Sequence, residues 1–466
     1  MQRWVAGLGA LLAACGGGEE RANQSAASDT PPWEPGVVYP SSNALERGLL
    51  DRRGLIHAHS VYSHDACDNE PRDPVTGELD LACLADFRFG MCKTRHDFVM
   101  LTDHDEMFAE TPYPDALLYA PDLGDTLLER DNEPVANWLA CPEEDAAQRA
   151  LVLAGCEAGT MPVGLDRHVA ADATGRSLVY GAKGPEAIQT LKDNGAVALV
   201  AHTEGWSVDE LVNLPLDGFE MYNLHANLEG NLGAAVGLIT KLSTPEQLPH
   251  SDLVLLPVVT EDPVYLEHWG SVLARGARRV TTMATDCHEN VFQQPLPDGE
   301  RVDSYRRMML WFSNHLLVTP TAEGGFDDGS LKDALRAGRL YGAFELLGYP
   351  AGFEFTGLDG GEVREMGSEL SLSRGAELHV RRPTVRGLEA ARQPPRTLRL
   401  LRAKDAGWDV IAEADTDLTL NVDQPGAYRA EVRMLPTHLE PYLSSYVDLA
   451  QREFVWIYSN AIYVVL

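Results

Sequence analysis

Positive charge is scarce in this chain: 38 Lys and Arg stand against 70 Asp and Glu among 466 residues, a formal net charge of −32. A surface of that sign repels a polyanion, which excludes duplex nucleic acid as the expected partner. A small anion can still bind where metal ions invert the local charge. Long hydrophobic runs are missing as well. The apolar start, Trp4 to Ala14, is too short to cross about 30 Å of hydrocarbon as a permanent helix. No Gly-x-Ser-x-Gly elbow occurs, which lowers the case for covalent catalysis by a serine. What is present is ordinary: 44% hydrophobic residues with 41 Gly and 28 Pro exclude a collagenous or mainly disordered chain. The length suits two or three domains.

The first residues read as an export signal, with Arg3 ahead of the apolar run. Leu12-Ala13-Ala14-Cys15 resembles a bacterial lipobox, which implies cleavage before Cys15 and lipidation of its thiol; an ordinary cleaved signal peptide is the alternative. Residues 1–14 are therefore expected to be a lipoprotein signal peptide. Residues 15–49, opening on Gly16-Gly17-Gly18, are expected to be a flexible linker. The protein is then expected at the bacterial cell envelope, as a periplasmic or outer-membrane lipoprotein. An oxidising compartment favours one or two disulfides among Cys67, Cys83, Cys92 and Cys141, with the pairing open. Cys156 and Cys287 read as buried small hydrophobes.

From residue 50 to about 290, seven short apolar runs recur between helix-like stretches: Leu55-Ile56, Phe98 to Leu101, Leu151 to Ala154, Ala196 to Ala201, Phe219 to Tyr222, Leu253 to Val259 and Val280 to Ala284. Such alternation predicts buried parallel strands in a closed or nearly closed α/β barrel. Pro185 to Asn194, followed by Gly195, reads as a helix, and Ser207 with Glu210 as a capping box. Polar ligand types follow most of the runs: His57 and His59, then Asp103-His104-Asp105, Glu157, His202, and Asp286-Cys287-His288. Parallel strands deliver their ends to one face, so these groups are expected to meet. The i, i+2 spacing of His57/His59 and Asp286/His288 places each pair on one side of a strand, as chelation requires. Neutral imidazole with carboxylate suits Zn, Mn or Fe.

His57-Ala58-His59-Ser60-Val61-Tyr62-Ser63-His64-Asp65, Thr102-Asp103-His104-Asp105, Gly155-Cys156-Glu157, Ala201-His202 and Asp286-Cys287-His288 together resemble the ordered motifs of the PHP family, the polymerase and histidinol phosphatase domains. The resemblance covers roughly residues 50 to 345. It implies a distorted (β/α)7 TIM-like barrel that binds two or three divalent ions and hydrolyses phosphoesters. It also implies nine ligands: His57, His59, Asp65, His104, Glu157, His168, His202, Asp286 and His288. One ion would take His57, His59, Glu157 and Asp286, a second Glu157, His168 and His202, and a third Asp65, His104 and His288. The catalytic roles fall to Asp286, His288, Glu157 and His202. His225, after the fifth run, is expected to line the pocket without touching metal. Asp103 and Asp105 either orient His104 or cap a loop. His96, His250, His268, His315, His379 and His438 complete no spaced motif and read as core or surface residues, as Lys93, Arg95 and Arg167 read as solvated charge.

A helix is expected over Ser330 to Phe344 with Ser330 as its cap. Beyond about Gly352 the pattern changes to short alternating segments with turns, Gln424-Pro425-Gly426 among them, which predicts a small antiparallel β-sandwich. The expected division is thus a hydrolase barrel over 50–348 and an accessory sandwich over 349–466. The closing Trp456 to Val464, with the exported start, is similar to PHP-type metallohydrolases grouped with carbaryl hydrolases. The leading expectation is a lipid-anchored, metal-dependent phosphoesterase acting on a small phosphomonoester or phosphodiester through metal-activated hydroxide. The alternatives are a carbamate or carboxyl ester hydrolase with the same centre, and a non-catalytic surface lipoprotein that binds metal or glycan.

Overall fold

The computed structural model describes residues 33–466, a mixed α/β protein built around one large sheet. The export-signal reading, Cys15 and the start of the linker lie outside the described residues. Among the described residues, no helix is long and apolar enough to cross a membrane. The expected tether ends earlier than residue 49. Trp33 is buried against His438, Tyr39 is buried, and the Ser41 hydroxyl donates to Asp97 at 2.5 Å.

Six of the seven apolar runs are strands. β1 (Leu50–Ile56), β2 (Phe98–Met100) and β3 (Arg149–Glu157) pair in parallel. β3 then turns straight back into β4 (Met161–Leu165), which pairs antiparallel with it and with β5 (Val197–Leu199). β6 (Gly218–Asn223) and β7 (Val280–Ala284) form a separate parallel pair. A few backbone hydrogen bonds span the gaps: Asp217 N donates to Ala198 O at 2.8 Å, Val200 N to Gly218 O at 3.2 Å and Glu220 N to Val200 O at 3.3 Å, while Asp286 N donates to His57 O at 3.2 Å and His59 N to Cys287 O at 3.1 Å. No sheet closes. The run Leu253 to Val259 is a correction to the strand pattern: it forms two 3-10 turns, because Pro257 has no N–H to give a ladder. Helix α1 (Pro185–Asp193) starts on its proline and stops before Gly195 at φ +91°. Helix α2 (Val208–Asn213) carries the capping box, with both Ser207 and Glu210 bonds made.

On its other edge β1 pairs antiparallel with β8 (Ser313–Val318), which pairs with β9 (Leu340–Ala343). The helix expected over Ser330 to Phe344 is shorter. It spans Asp328–Arg336 and is capped by Asp327, with Ser330 returning the bond; Gly338 at φ +69° then ends it, and the remainder is β9. β9 pairs antiparallel with Phe454–Ser459, so the large sheet runs on into the last hundred residues through Gly426–Met434 and Arg396–Lys404. A second, four-stranded antiparallel sheet, Glu362–Glu365, Glu354–Asp359, Glu377–Arg381 and Leu418–Asn421, covers it. Leu378, Val380 and Phe355 share one core with Leu398, Ala430 and Val432. The expected sandwich is therefore not closed off from the barrel strands. Two disulfides, Cys67–Cys83 and Cys92–Cys141, fix the helix Leu81–Thr94, while Cys156 and Cys287 are free and buried.

Four residues before His57, β1 carries the buried Arg53. Its guanidinium grips Glu345 through two bonds of 3.0 and 2.7 Å. His315 lies between Glu345 (3.2 Å) and Asp51 (2.9 Å). Burial would raise the Glu345 carboxyl, yet Arg53 and His315 hold it down at about 2. Burial would lower His315, yet Asp51 and Glu345 lift it to about 9. A depressed acid stabilises the fold above its ordinary pKa near 4.5 and loses that contribution as pH falls toward 2. A raised histidine stabilises below 6.5 and loses its contribution as pH rises through 9. His315→Gln is therefore expected to flatten the alkaline decline between pH 6.5 and 9 in urea unfolding. Glu345→Ala, which strands buried Arg53, is expected to cost about 3–5 kcal/mol.

Candidate metal centre

The strand ends leave the sheet sharply. His57 stands just past β1 at φ +79°, His202 past β5 at φ +50° and Asp286 past β7 at φ +52°, conformations that cost a non-glycine residue energy and cluster at functional sites. They turn the side chains inward over the same edge. His57 Nε2 lies 3.1 Å from His59 Nε2, 3.2 Å from Glu157 Oε2 and 3.1 Å from Asp286 Oδ1. His59 Nε2 lies 3.2 and 3.3 Å from the same two oxygens. Beside this group, Asp65 Oδ2 is 3.1 Å from both His104 Nε2 and His288 Nε2. Two sets of donors, His57/His59/Glu157/Asp286 and His59/Asp65/His104/His288, each lie within 4.8 Å of one another.

One pattern orders the imidazoles. His57 Nδ1 donates to Glu220 Oε1 at 2.5 Å, His202 Nδ1 to Glu204 Oε1 at 3.2 Å, His104 Nδ1 to Glu157 O at 3.3 Å and His288 Nδ1 to Asp286 O at 2.9 Å. His59 Nδ1 meets Ser63 Oγ at 2.9 Å, and that hydroxyl spends its own hydrogen on Asp65. Carboxylate and carbonyl oxygens only accept, so each Nδ1 carries a proton and each Nε2 is the nitrogen that faces the cluster. Asp103 orients the first motif rather than His104, since both its oxygens are taken by Ser60, from the amide at 2.5 Å and the hydroxyl at 2.9 Å.

These donors fit divalent ions. Two atoms bound to one ion at about 2.0–2.2 Å lie roughly 2.8–3.6 Å apart, between octahedral and tetrahedral angles, the range of the contacts around His57 and His59. Asp286 Oδ1 and His288 Nε2 are buried and make no hydrogen bond among the described residues, as ligand atoms facing an ion would be. Charge points the same way. Burial opposes the protonated form of His57, but Asp286, Glu220 and Glu157 outweigh it and hold the group well above its ordinary value. Burial likewise opposes His59 and His202, yet the carboxylates raise them to about 9 and about 11. Burial would raise Glu157 and Asp286, and the imidazoles hold both low instead. The carboxylates thus hold protons on these imidazoles where a cation would serve equally.

Eight of the nine carried-over ligands are brought together. His168 is not. Its Nδ1 lies 2.9 Å from Tyr180 Oη and its Nε2 2.7 Å from Thr111 O, between the rings of Phe108 and Tyr113, and burial drops it to about 4. The cause is the reversal after β3: β4 carries the chain back until Leu165 sits beside Ala154, short of the edge where Glu157 stands. Sequence reasoning missed Glu220, wholly buried, which accepts from His57 Nδ1 at 2.5 Å and from His202 N at 3.0 Å. The signal was a carboxylate in the middle of the apolar run Phe219 to Tyr222. A small cavity of about 30 Å³ beside Asp286 and His288, walled by Leu228, Leu255, Phe292 and Met308, has room for one or two waters.

No protein-family model and no curated protein matches the chain. A solved structure from Bacteroides vulgatus, described as a two-domain protein containing a predicted PHP-like metal-dependent phosphoesterase, is similar at 12% identity. The match covers 90% of this chain and 98% of that one, with a TM-score of 0.33. Because Glu220 fixes the tautomer of His57, Glu220→Gln is expected to weaken Zn or Mn binding about 10–100-fold in a competition titration, with the far-ultraviolet dichroism unchanged.

Proposed function

We propose that the protein is a metal-dependent phosphoesterase of the PHP kind, hydrolysing a small phosphomonoester or phosphodiester. The observation that carries this reading is the convergence of five imidazole Nε2 atoms, each fixed by an oxygen at Nδ1, on the carboxylates of Glu157, Asp286 and Asp65. Two or three divalent ions held there would acidify a water and draw charge off the phosphoryl oxygens. Glu157 and Asp286 set the spacing of the centre, because each turns one oxygen to His57 and His59 and the other to His202. Glu220 and Ser63 keep His57 and His59 from rotating, which preserves that spacing through turnover. The half-exposed rings of His202 and His225 border the open side, where a phosphoryl group enters. Water acidified by the ions would serve in place of a protein nucleophile.

The (β/α)7 reading of the barrel belongs to this proposal and is supported by the hydrogen bonds that link β5 to β6 and β7 to β1. Export and anchoring through Cys15 belong to it too, supported by the two disulfides, which suit an oxidising compartment. The test uses the Mn- or Zn-loaded protein on a phosphomonoester, a phosphodiester and a carbamate that share one chromogenic leaving group. A phosphoester is expected to be preferred. Turnover is expected to stop with chelator, and Asp286→Ala to lose more than the 10–100-fold of an outer partner, roughly 1,000-fold. A preferred carbamate would make it an ester hydrolase of the carbaryl-hydrolase type. Bound metal without turnover would make it a binding protein.

A further inference from the structure

We propose that His225 is a metal ligand, completing with His202, Glu157 and Asp286 the donor set of a second ion in the place His168 does not fill. The inference rests on the metal-centre reading above and adds to it a ligand that the spaced motifs do not contain.

The geometry starts from the two shared carboxylates. Glu157 Oε2 and Asp286 Oδ1 face His57 and His59. Their other oxygens face away from that pair: His202 Nε2 lies 3.3 Å from Glu157 Oε1 and 3.4 Å from Asp286 Oδ2. His225 Nδ1 lies 3.5 Å from the same Asp286 Oδ2. All three separations fall inside the range of roughly 2.8–3.6 Å expected for atoms bound to one ion, whereas His104 Nε2, at 3.9 Å from Glu157 Oε2, falls outside it.

The local sequence explains how His225 reaches this place. β6 ends at Asn223, whose Oδ1 accepts from Ala226 N at 3.0 Å and caps the helix Leu224–Gly230. Asn223 Nδ2 reaches Asp286 Oδ2 at 3.3 Å. The cap therefore ties the first turn of the helix, which carries His225, to the carboxylate it serves. His168 stands elsewhere, with both nitrogens bound within 3 Å to Tyr180 and Thr111. Two carboxylates that each bridge, with two histidines on either side, give both ions the same N₂O₂ donor chemistry, the mixed set that suits Zn, Mn or Fe.

The experiment counts metal rather than activity. The full-length protein, His225→Ala and His168→Gln are stripped, reloaded with Zn or Mn and gel-filtered; bound ion per chain is read by elemental analysis and dissociation constants by competition titration. His225→Ala is expected to retain one ion fewer per chain than the unaltered protein, or to hold its weakest ion at least 100-fold less tightly. His168→Gln is expected to match the unaltered protein. His225→Asp, which restores an anionic oxygen donor, is expected to recover binding. If His225→Ala misfolds, judged by thermal unfolding of the stripped protein, the same counts are read on His225→Gln. Unchanged stoichiometry and affinity in His225→Ala overturns the assignment and leaves the metal centre standing. No ion retained by the unaltered protein overturns both.

Discussion

The constraint on which this molecule depends is buried negative charge. Glu220 is wholly buried, Asp286 is nearly so, and Glu157 and Asp65 are mostly enclosed. Four carboxylates in so small a volume are untenable unless positive charge accompanies them. The imidazoles supply it as protons in the empty centre and give it up to divalent ions in the filled one. The rest follows from holding these groups apart by about 3 Å while keeping them together. Strand ends turn outward through left-handed backbone at His57, His202 and Asp286. Oxygens fix each Nδ1, and Asn223 fixes Asp286. The five imidazoles His57, His59, His104, His202 and His288 are held in orientation because each has a second bond behind it.

Much of this was legible in the sequence, and the division has physical reasons. His57-x-His59 and Asp286-x-His288 are visible because a strand end repeats its direction every second residue. The capping box of Ser207 and Glu210 and the helix from Pro185 are visible because caps are local. What the sequence concealed is non-local. The reversal from β3 to β4 does not show in the apolar pattern, since a buried antiparallel strand and a buried parallel one have the same composition. That reversal removes His168 from the site. Glu220 was hidden for a related reason: its partner His57 is 163 residues away, and a carboxylate within an apolar run does not say which imidazole it serves. Pro257 was readable as a strand breaker and outweighs the apolar residues around it.

One sheet and one core run across the expected boundary between barrel and sandwich. The change from alternating helices and strands to strands alone is real, and it falls near Gly352. Yet β9 and Phe454–Ser459 are neighbours in one sheet, and the covering sheet shares its core with it. Motions of the C-terminal sheets relative to the metal centre are accordingly limited to what a continuous ladder permits.

That shared ladder has a consequence for how the protein comes into being. β9 emerges from synthesis more than a hundred residues before the strand that covers its open side, and until then its free N–H and C=O groups form an exposed edge. The contacts that complete this edge join residues more than a hundred apart and cannot form until the last strand has been made, and such non-local pairing is slow. The nascent chain therefore passes through a stage in which its donors are already made but its largest sheet has an open side. A chain cut short before Phe454 stays at that stage, prone to pairing with its own copies rather than closing on itself.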